Sequence, residues 1–237
     1  MAPGRPKAII LDLDDTILDS GDPKVTWGQV CAEFAGSLGI MPGDIFDALS
    51  DATSWFWDNN LRAREGRLDL VAARRTIFTR ALSALGQEDP DLGVVDAMAQ
   101  RYTALRDDAV TPFQGAVAAL ERLRRTGIKL ALLTNGSTEK QWAKIREFGL
   151  EPYFDHIQVE GDVGFGKPDA QAFRYALSAL AARPQETWMV GDNLLADIAG
   201  AQGAGIHAIW IDAHGNGLDT GDDIVPDRIV ESLDELL

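Results

Sequence analysis

The 237-residue chain predicts an α/β protein in which a parallel sheet is flanked by helices and an all-helical domain is inserted after the first strand. Three observations lead there. From Thr111 onward, apolar runs of strand length alternate with stretches of helical periodicity, the pattern of a parallel sheet with right-handed crossovers. The run Ala8 to Leu11 is apolar at every position, as a strand buried on both faces should be. It has no strand partner near it in sequence. Between Val25 and about Asp108 the periodicity is helical throughout, so the first strand must pair with segments beyond that block. The expected division is residues 1–18 plus 109–237 for the α/β core and 19–108 for the helical insertion.

Taken in order, the first strand ends in Asp12-Leu13-Asp14-Asp15-Thr16. In the insertion, one helix carries Val30, Phe34 and Leu38 and stops at Gly39. A second follows Pro42 and carries Ile45, Leu49, Trp55, Phe56 and Trp57. A third runs from about Asp69 through Val71, Ile77, Phe78, Ala81 and Leu85 to Gly86, and a fourth carries Val94, Met98, Tyr102 and Leu105. Glycine past the last periodic residue is a helix stop. In the core, Ala116 to Arg125 reads as a helix ended by Gly127, and Lys129 to Asn135 as a buried strand. The next helix starts where Thr138 and Gln141 fit a capping box, and it stops at Gly149. His156–Val159 is a short strand, and Pro168 is expected to open a helix carrying Phe173, Leu177 and Leu180. A strand at 187–192, a helix at 194–201, a strand at 207–212 and an edge strand at 228–230 complete the core.

Composition excludes several classes of function. The net charge of −15 opposes nucleic acid and anionic membranes, which need lysine and arginine clusters. It also opposes a phosphorylated substrate at long range, so a phosphate site must be locally positive. The single cysteine, Cys31, forbids an intrachain disulfide and reads as core packing. The amino-terminal stretch shows neither a signal peptide nor a membrane span, which makes the cytoplasm the expected location.

Asp12 and Asp14, two apart on an extended chain, project the same way while Leu13 projects the other. Like charges in one crevice need a cation, a proton or a function to compensate them. Further polar groups stand at other strand ends: Thr134 and Asn135, then Lys167, then Asp192 with Asp197. In a parallel sheet these ends share one edge, where open α/β sheets bind ligands. Taken singly, each has a plain structural reading as a turn, a cap or a surface charge. Their conjunction is what points to a site. Gly161 to Lys167 imitates a P-loop, but Pro168 follows where a metal-binding hydroxyl and a backbone N–H are needed. The histidines His156, His207 and His214 are scattered and read as structural.

At this point the sequence resembles the haloacid dehalogenase-like (HAD) hydrolases. Asp12-Leu13-Asp14-Asp15-Thr16 looks like their first motif, Leu133-Thr134-Asn135-Gly136 their second, Gly166-Lys167-Pro168 their third, and Gly191-Asp192-Asn193 with Asp197 their fourth. The match in order and spacing covers nearly all of the chain outside the helical block. The block itself resembles the helical cap of the first subclass. The resemblance implies a Rossmann-like core and a phosphatase of a small phosphorylated metabolite. Asp12 would attack phosphorus and form an aspartyl-phosphate. Asp14 would protonate the leaving alcohol and then deprotonate the attacking water, help worth ~10²–10⁴-fold. Thr134, Asn135 and Gly136 would hold phosphate oxygens through the Thr134 hydroxyl and two backbone N–H groups, with Lys167 supplying positive charge. A cluster of carboxylates with phosphate implies Mg²⁺. Its ligands would be the Asp12 and Asp192 side chains and the Asp14 carbonyl, with Asp197 binding directly or through water.

Within the family, dehalogenases lack the second aspartate, and phosphonate hydrolysis needs a cap lysine that residues 25–108 do not contain. A phosphomutase shares the core motifs and stays open, as does a non-catalytic binding protein on the same fold. Trp55, Trp57, Arg62 and Arg64 could touch a leaving group, but tryptophans packed in the cap core and arginines facing water are the better reading. The expected partner is the metabolite alone, on a monomer or homodimer.

Overall fold

A computed structural model of the chain describes residues 5–218 and 223–236. The first four residues of the amino-terminal stretch lie outside them. The chain divides into two compact units: one runs to Asp19 and resumes at Thr111, and the other spans Ser20–Val110.

In the first unit the chain opens with β1 (Ala8–Leu11) and β2 (Leu18–Asp19). The second unit holds α1 (Pro23–Leu38), α2 (Pro42–Trp57), α3 (Asn60–Leu68), α4 (Leu70–Ala84) and α5 (Leu92–Asp108). The chain then returns through β3 (Thr111–Pro112), which pairs antiparallel with β2. There follow α6 (Ala116–Arg125), β4 (Lys129–Thr134), α7 (Thr138–Glu147), β5 (His156–Val159), α8 (Glu160–Val163), α9 (Ala170–Leu180) and β6 (Thr187–Gly191). A π-helical stretch (Leu194–Ala199) passes into α10 (Gly200–Gly203), and β7 (His207–Ile211) and β8 (Arg228–Val230) close the sheet.

The sheet order is β5-β4-β1-β6-β7-β8, with every pairing parallel. This is the parallel, helix-flanked sheet that the alternation predicts. β1 sits inside it because Ala8 to Leu11 is apolar on both faces and wholly buried. Ala8 and Ile10 join Ala131, Leu133, Met189 and Ala208 against Phe173, Ala176 and Leu177 of α9. Ile9 and Leu11 take the other face, as strand alternation requires. Reversal of the strand order about β1 makes its carboxyl end a place where ligands bind in such sheets.

The second unit has its own core of Trp27, Val30, Ile45, Leu49, Phe56, Ile77, Phe78, Met98 and Tyr102. Trp27 stacks on Tyr102 at 3.8 Å and meets Phe78 edge-on at 5.2 Å. Cys31 is buried in this core, as expected of a packing residue.

Several elements differ from expectation. α3 was not expected, because Asn60–Leu68 is polar nearly all round and shows no apolar stripe. It is set by the Asn59 side chain, which accepts from the N–H groups of Leu61 and Arg62. Arg62 does not face water: it stacks on Trp55 at 4.0 Å and donates to the carbonyls of Trp55 and Phe56. Pro168 does not open α9; Asp169 caps it and accepts from Gln171 N. The capping box at Thr138 does not form either. Ser137 is the cap and accepts from Lys140 N, which leaves Gln141 free to turn elsewhere. No helix among the described residues is long and apolar enough to cross a membrane.

Candidate active site

Parallel pairing brings the carboxyl ends of β1, β4 and β6 together, and the candidate residues follow from those ends. Asp12 continues β1 and donates its N–H to Val190 O at 3.0 Å, so its backbone is still in the sheet. After it the chain turns sharply, with Ile17 and Leu18 both donating to Leu13 O and Asp15 at φ 55, a region aspartate tolerates better than most residues. Asp192 follows β6, and its carbonyl accepts from Trp210 Nε1 at 2.6 Å. Asp197 lies in the π-helical stretch that Asn193 caps; such local widening is frequent at functional sites.

Asp12, Asp192 and Asp197 each offer a carboxylate oxygen within 4.8 Å of the others. Lys167 reaches into this group, with Nζ 2.6 Å from Asp12 Oδ1 and 2.6 Å from Asp197 Oδ1. Its side chain is only 2% exposed. Burial would lower the lysine's pKa, but Asp12 and Asp197 outweigh it and hold the ammonium above its ordinary range. Burial pushes Asp12 up to about 7, helped by Asp197 and opposed by Lys167. Asp192 is pushed up to about 9 by burial and by the charges of Asp12 and Asp197. Three carboxylates against one ammonium leave two negative charges uncompensated. That excess of negative charge adds to burial in raising Asp12 and Asp192.

Asp197 is well held: its Oδ2 accepts from Asn193 N at 3.0 Å while Oδ1 faces Lys167. Gly191 permits this. A Cβ there would press on Asp197 Oδ2, closer than any side chain tolerates.

The Asp14 carboxylate lies outside the acidic group. It is held by α7, with Lys144 Nζ at 2.6 and 2.8 Å from its two oxygens and Gln141 Nε2 at 2.9 Å from Oδ2. Gln141 also donates to the Thr134 hydroxyl at the end of β4. Asn135 ties the second strand end to the lysine loop reciprocally: its Nδ2 donates to Lys167 O at 2.7 Å and its Oδ1 accepts from Lys167 N at 2.8 Å. The Gly136 N–H, expected at a phosphate, instead donates to the buried Glu160 at 3.2 Å.

The structure thus brings Asp12, Lys167, Asp192 and Asp197 into one cluster, with Asp14, Thr134 and Asn135 around it. Gln141, Lys144 and Glu160 were not foreseen. For Gln141 and Lys144 the signal was present: they are three apart on a helix that directly follows Thr134, so both face one side. The histidines stay out of the cluster. His207 lies 3.6 Å from Asp227, and His214 3.9 Å from Asp19.

Comparisons with known proteins agree with this arrangement. A family model described as haloacid dehalogenase-like hydrolase matches residues 6–205. The chain is 35% identical over 216 residues to the glyceraldehyde 3-phosphate phosphatase of Pyrococcus furiosus, covering 87% of this chain and 80% of the relative. It is 29% identical over 237 residues to the enzyme of the same name from Methanocaldococcus jannaschii, covering 98% and 95%. Among solved structures it is similar to YfnB, a HAD-hydrolase of Bacillus subtilis bound to magnesium. That match has a TM-score of 0.73 and 25% identity over 98% of this chain and 97% of that one. With its four motif segments gathered at one edge of a parallel sheet and a family match over most of its length, the chain belongs to the haloacid dehalogenase-like hydrolases.

Proposed function

We propose that this protein is a Mg²⁺-dependent phosphatase of a small phosphorylated metabolite, working through an aspartyl-phosphate on Asp12. The observation that carries the reading is the separation of the two β1 carboxylates. Asp12 belongs to the charged cluster with Lys167, whereas Asp14 is held apart by Gln141 and Lys144. On this reading Asp12 is the nucleophile and Asp14 the acid and base.

The donor set fits magnesium. It is all oxygen, it is compact, and it lacks two positive charges for neutrality. Asp12 and Asp192 would hold the ion with the Asp14 carbonyl, and Asp197, already engaged by Lys167 and Asn193, would reach it through water. When bound, Mg²⁺ supplies positive charge against the phosphate oxygens.

The chain's own groups supply the rest. The Asp12 carboxylate bonds to phosphorus as the ester oxygen leaves, and that oxygen takes the proton of Asp14. Asp14 then accepts a proton from water, whose oxygen bonds to phosphorus and releases Asp12 with inorganic phosphate. Lys167, the Thr134 hydroxyl and the Asn135 N–H offset the charge on the transferring group. Gly136 contributes its backbone shape, since its N–H is engaged by Glu160.

The testing experiment is a phosphate-release screen with purified protein over sugar phosphates, nucleotides and phosphorylated acids. Glyceraldehyde 3-phosphate is the first substrate to try, since the relatives are named for it. Release should require Mg²⁺ and stop with chelator. Full activity in metal-free buffer would refute the reading.

A further inference from the structure

Gln141 is 3% exposed, unusual for a polar side chain on a surface helix of the sheet. Its two amide hydrogens go to different strands' ends. One is donated to the Thr134 hydroxyl beyond β4, the other to Asp14 Oδ2 beyond β1. Gly136, at φ 125, leaves room for it. A Cβ there would come within 3.3 Å of Gln141 Cγ and Cδ. Ser137 fixes the start of α7 and so the height of Gln141 above the strand ends.

The chemistry of a carboxamide suits both contacts. A nitrogen with two hydrogens is a donor only, so Thr134 Oγ1 accepts from it and its own hydrogen points away from Gln141, toward Asn135 O at 3.4 Å, a long contact that a bound phosphate oxygen would replace. The same nitrogen fixes one oxygen of Asp14, and Lys144 on the next turn of α7 fixes the carboxylate from the side. We propose that Gln141 is a positioning residue of the reaction, whose carboxamide aims the Thr134 hydroxyl at the phosphate and the Asp14 carboxylate at the leaving oxygen. This inference rests on the reading of Asp14 as acid and base, and it adds one residue through which both legs of the site are coupled. A glutamate in this place would have the same shape but only acceptor oxygens, and its charge would repel Asp14.

The test uses Gln141→Leu, Gln141→Glu and Asp14→Asn, singly and with Asp14→Asn combined with Gln141→Leu, after thermal melts confirm folding. Turnover is measured on an alkyl phosphate and on p-nitrophenyl phosphate. Alkoxides leave poorly without a proton, whereas p-nitrophenolate needs little help. Misplacing a reacting group by about an ångström costs ~10²-fold, so Gln141→Leu should lose about that much kcat on the alkyl substrate and far less on the aryl one. Gln141→Glu should be no better than Gln141→Leu despite its shape. The alkyl-specific part of the loss should vanish in the Asp14→Asn background, because the group being aimed is gone. If Asp14→Asn shows leaving-group dependence and folded Gln141 variants do not, Gln141 only fills space and the inference fails alone. If Asp14→Asn hits both substrates equally, the acid–base reading fails and this inference with it. Should Gln141→Leu not fold, the isosteric Gln141→Glu decides between the same outcomes.

Discussion

Lys167 and Gly191 show how single residues hold the site in opposite ways. The lysine touches both Asp12 and Asp197, and it is buried with them. Lys167→Met should cut turnover by ~10²–10³-fold, the usual loss on removing one electrostatic contact to a transferring group. Near-normal turnover of the folded variant would mean its charge does not act on the substrate. Gly191 acts through what it lacks. Gly191→Ala sets a methyl group against the Asp197 carboxylate, so it should impair turnover and Mg²⁺ binding together while leaving the sheet intact. Calorimetric Mg²⁺ titration checks this, and unchanged affinity would contradict it. Neither effect can be seen in Gly191-Asp192-Asn193 read as a string, because the distance to Asp197 depends on how the π-helical stretch folds back.

Elements differ in how far the sequence betrays them. β1, β4 and β6 announce themselves because strands buried on both faces carry continuous apolar runs that lead into polar groups. The apolar helices α1, α2 and α4 are equally legible from spacing and stops. α3 is not, since its stability comes from a cap and from tertiary contacts rather than an apolar stripe. The start of α7 misleads for a related reason. Two hydroxyl residues compete for the cap, and the one that wins decides whether Gln141 closes the helix or enters the site. Ser137→Ala should therefore cost about 1 kcal/mol of stability, the usual worth of an N-cap, and lower turnover as well, because α7 carries both residues that hold Asp14. Denaturant unfolding and turnover measured together check this. Lost stability with full turnover would separate the cap from the site.

At the scale of the whole molecule, an acidic protein of net charge −15 concentrates three carboxylates around one lysine. That has a thermodynamic signature. With Asp12 raised to about 7 and Asp192 to about 9, the folded metal-free protein binds more protons than the unfolded chain up to that range. Stability therefore falls as pH rises from 3.8, the ordinary carboxyl value, to about 7 through Asp12 and on to about 9 through Asp192. Mg²⁺ favours the ionised carboxylates, so its stabilising effect should grow over the same interval, with protons released on binding. Thermal melts in chelator and in Mg²⁺ across that range test it; parallel curves would contradict it. The motif residues and the sheet that gathers them were legible because each strand end carries its own polar group. The partners of Gln141, Lys144 and Glu160 were not: a shared face of α7 shows in the spacing of the first two, but what that face and Glu160 meet depends on tertiary placement. The central claim is covalent catalysis by Asp12, and acid-quenched mass analysis during turnover of p-nitrophenyl phosphate tests it most directly. The Asp14→Asn variant should accumulate one phosphoryl group on the peptide containing Asp12, because the nucleophile survives while the base for water is lost, and Asp12→Asn should carry none. Phosphate release by Asp14→Asn with no adduct at any time point, or turnover surviving in Asp12→Asn, would contradict the account.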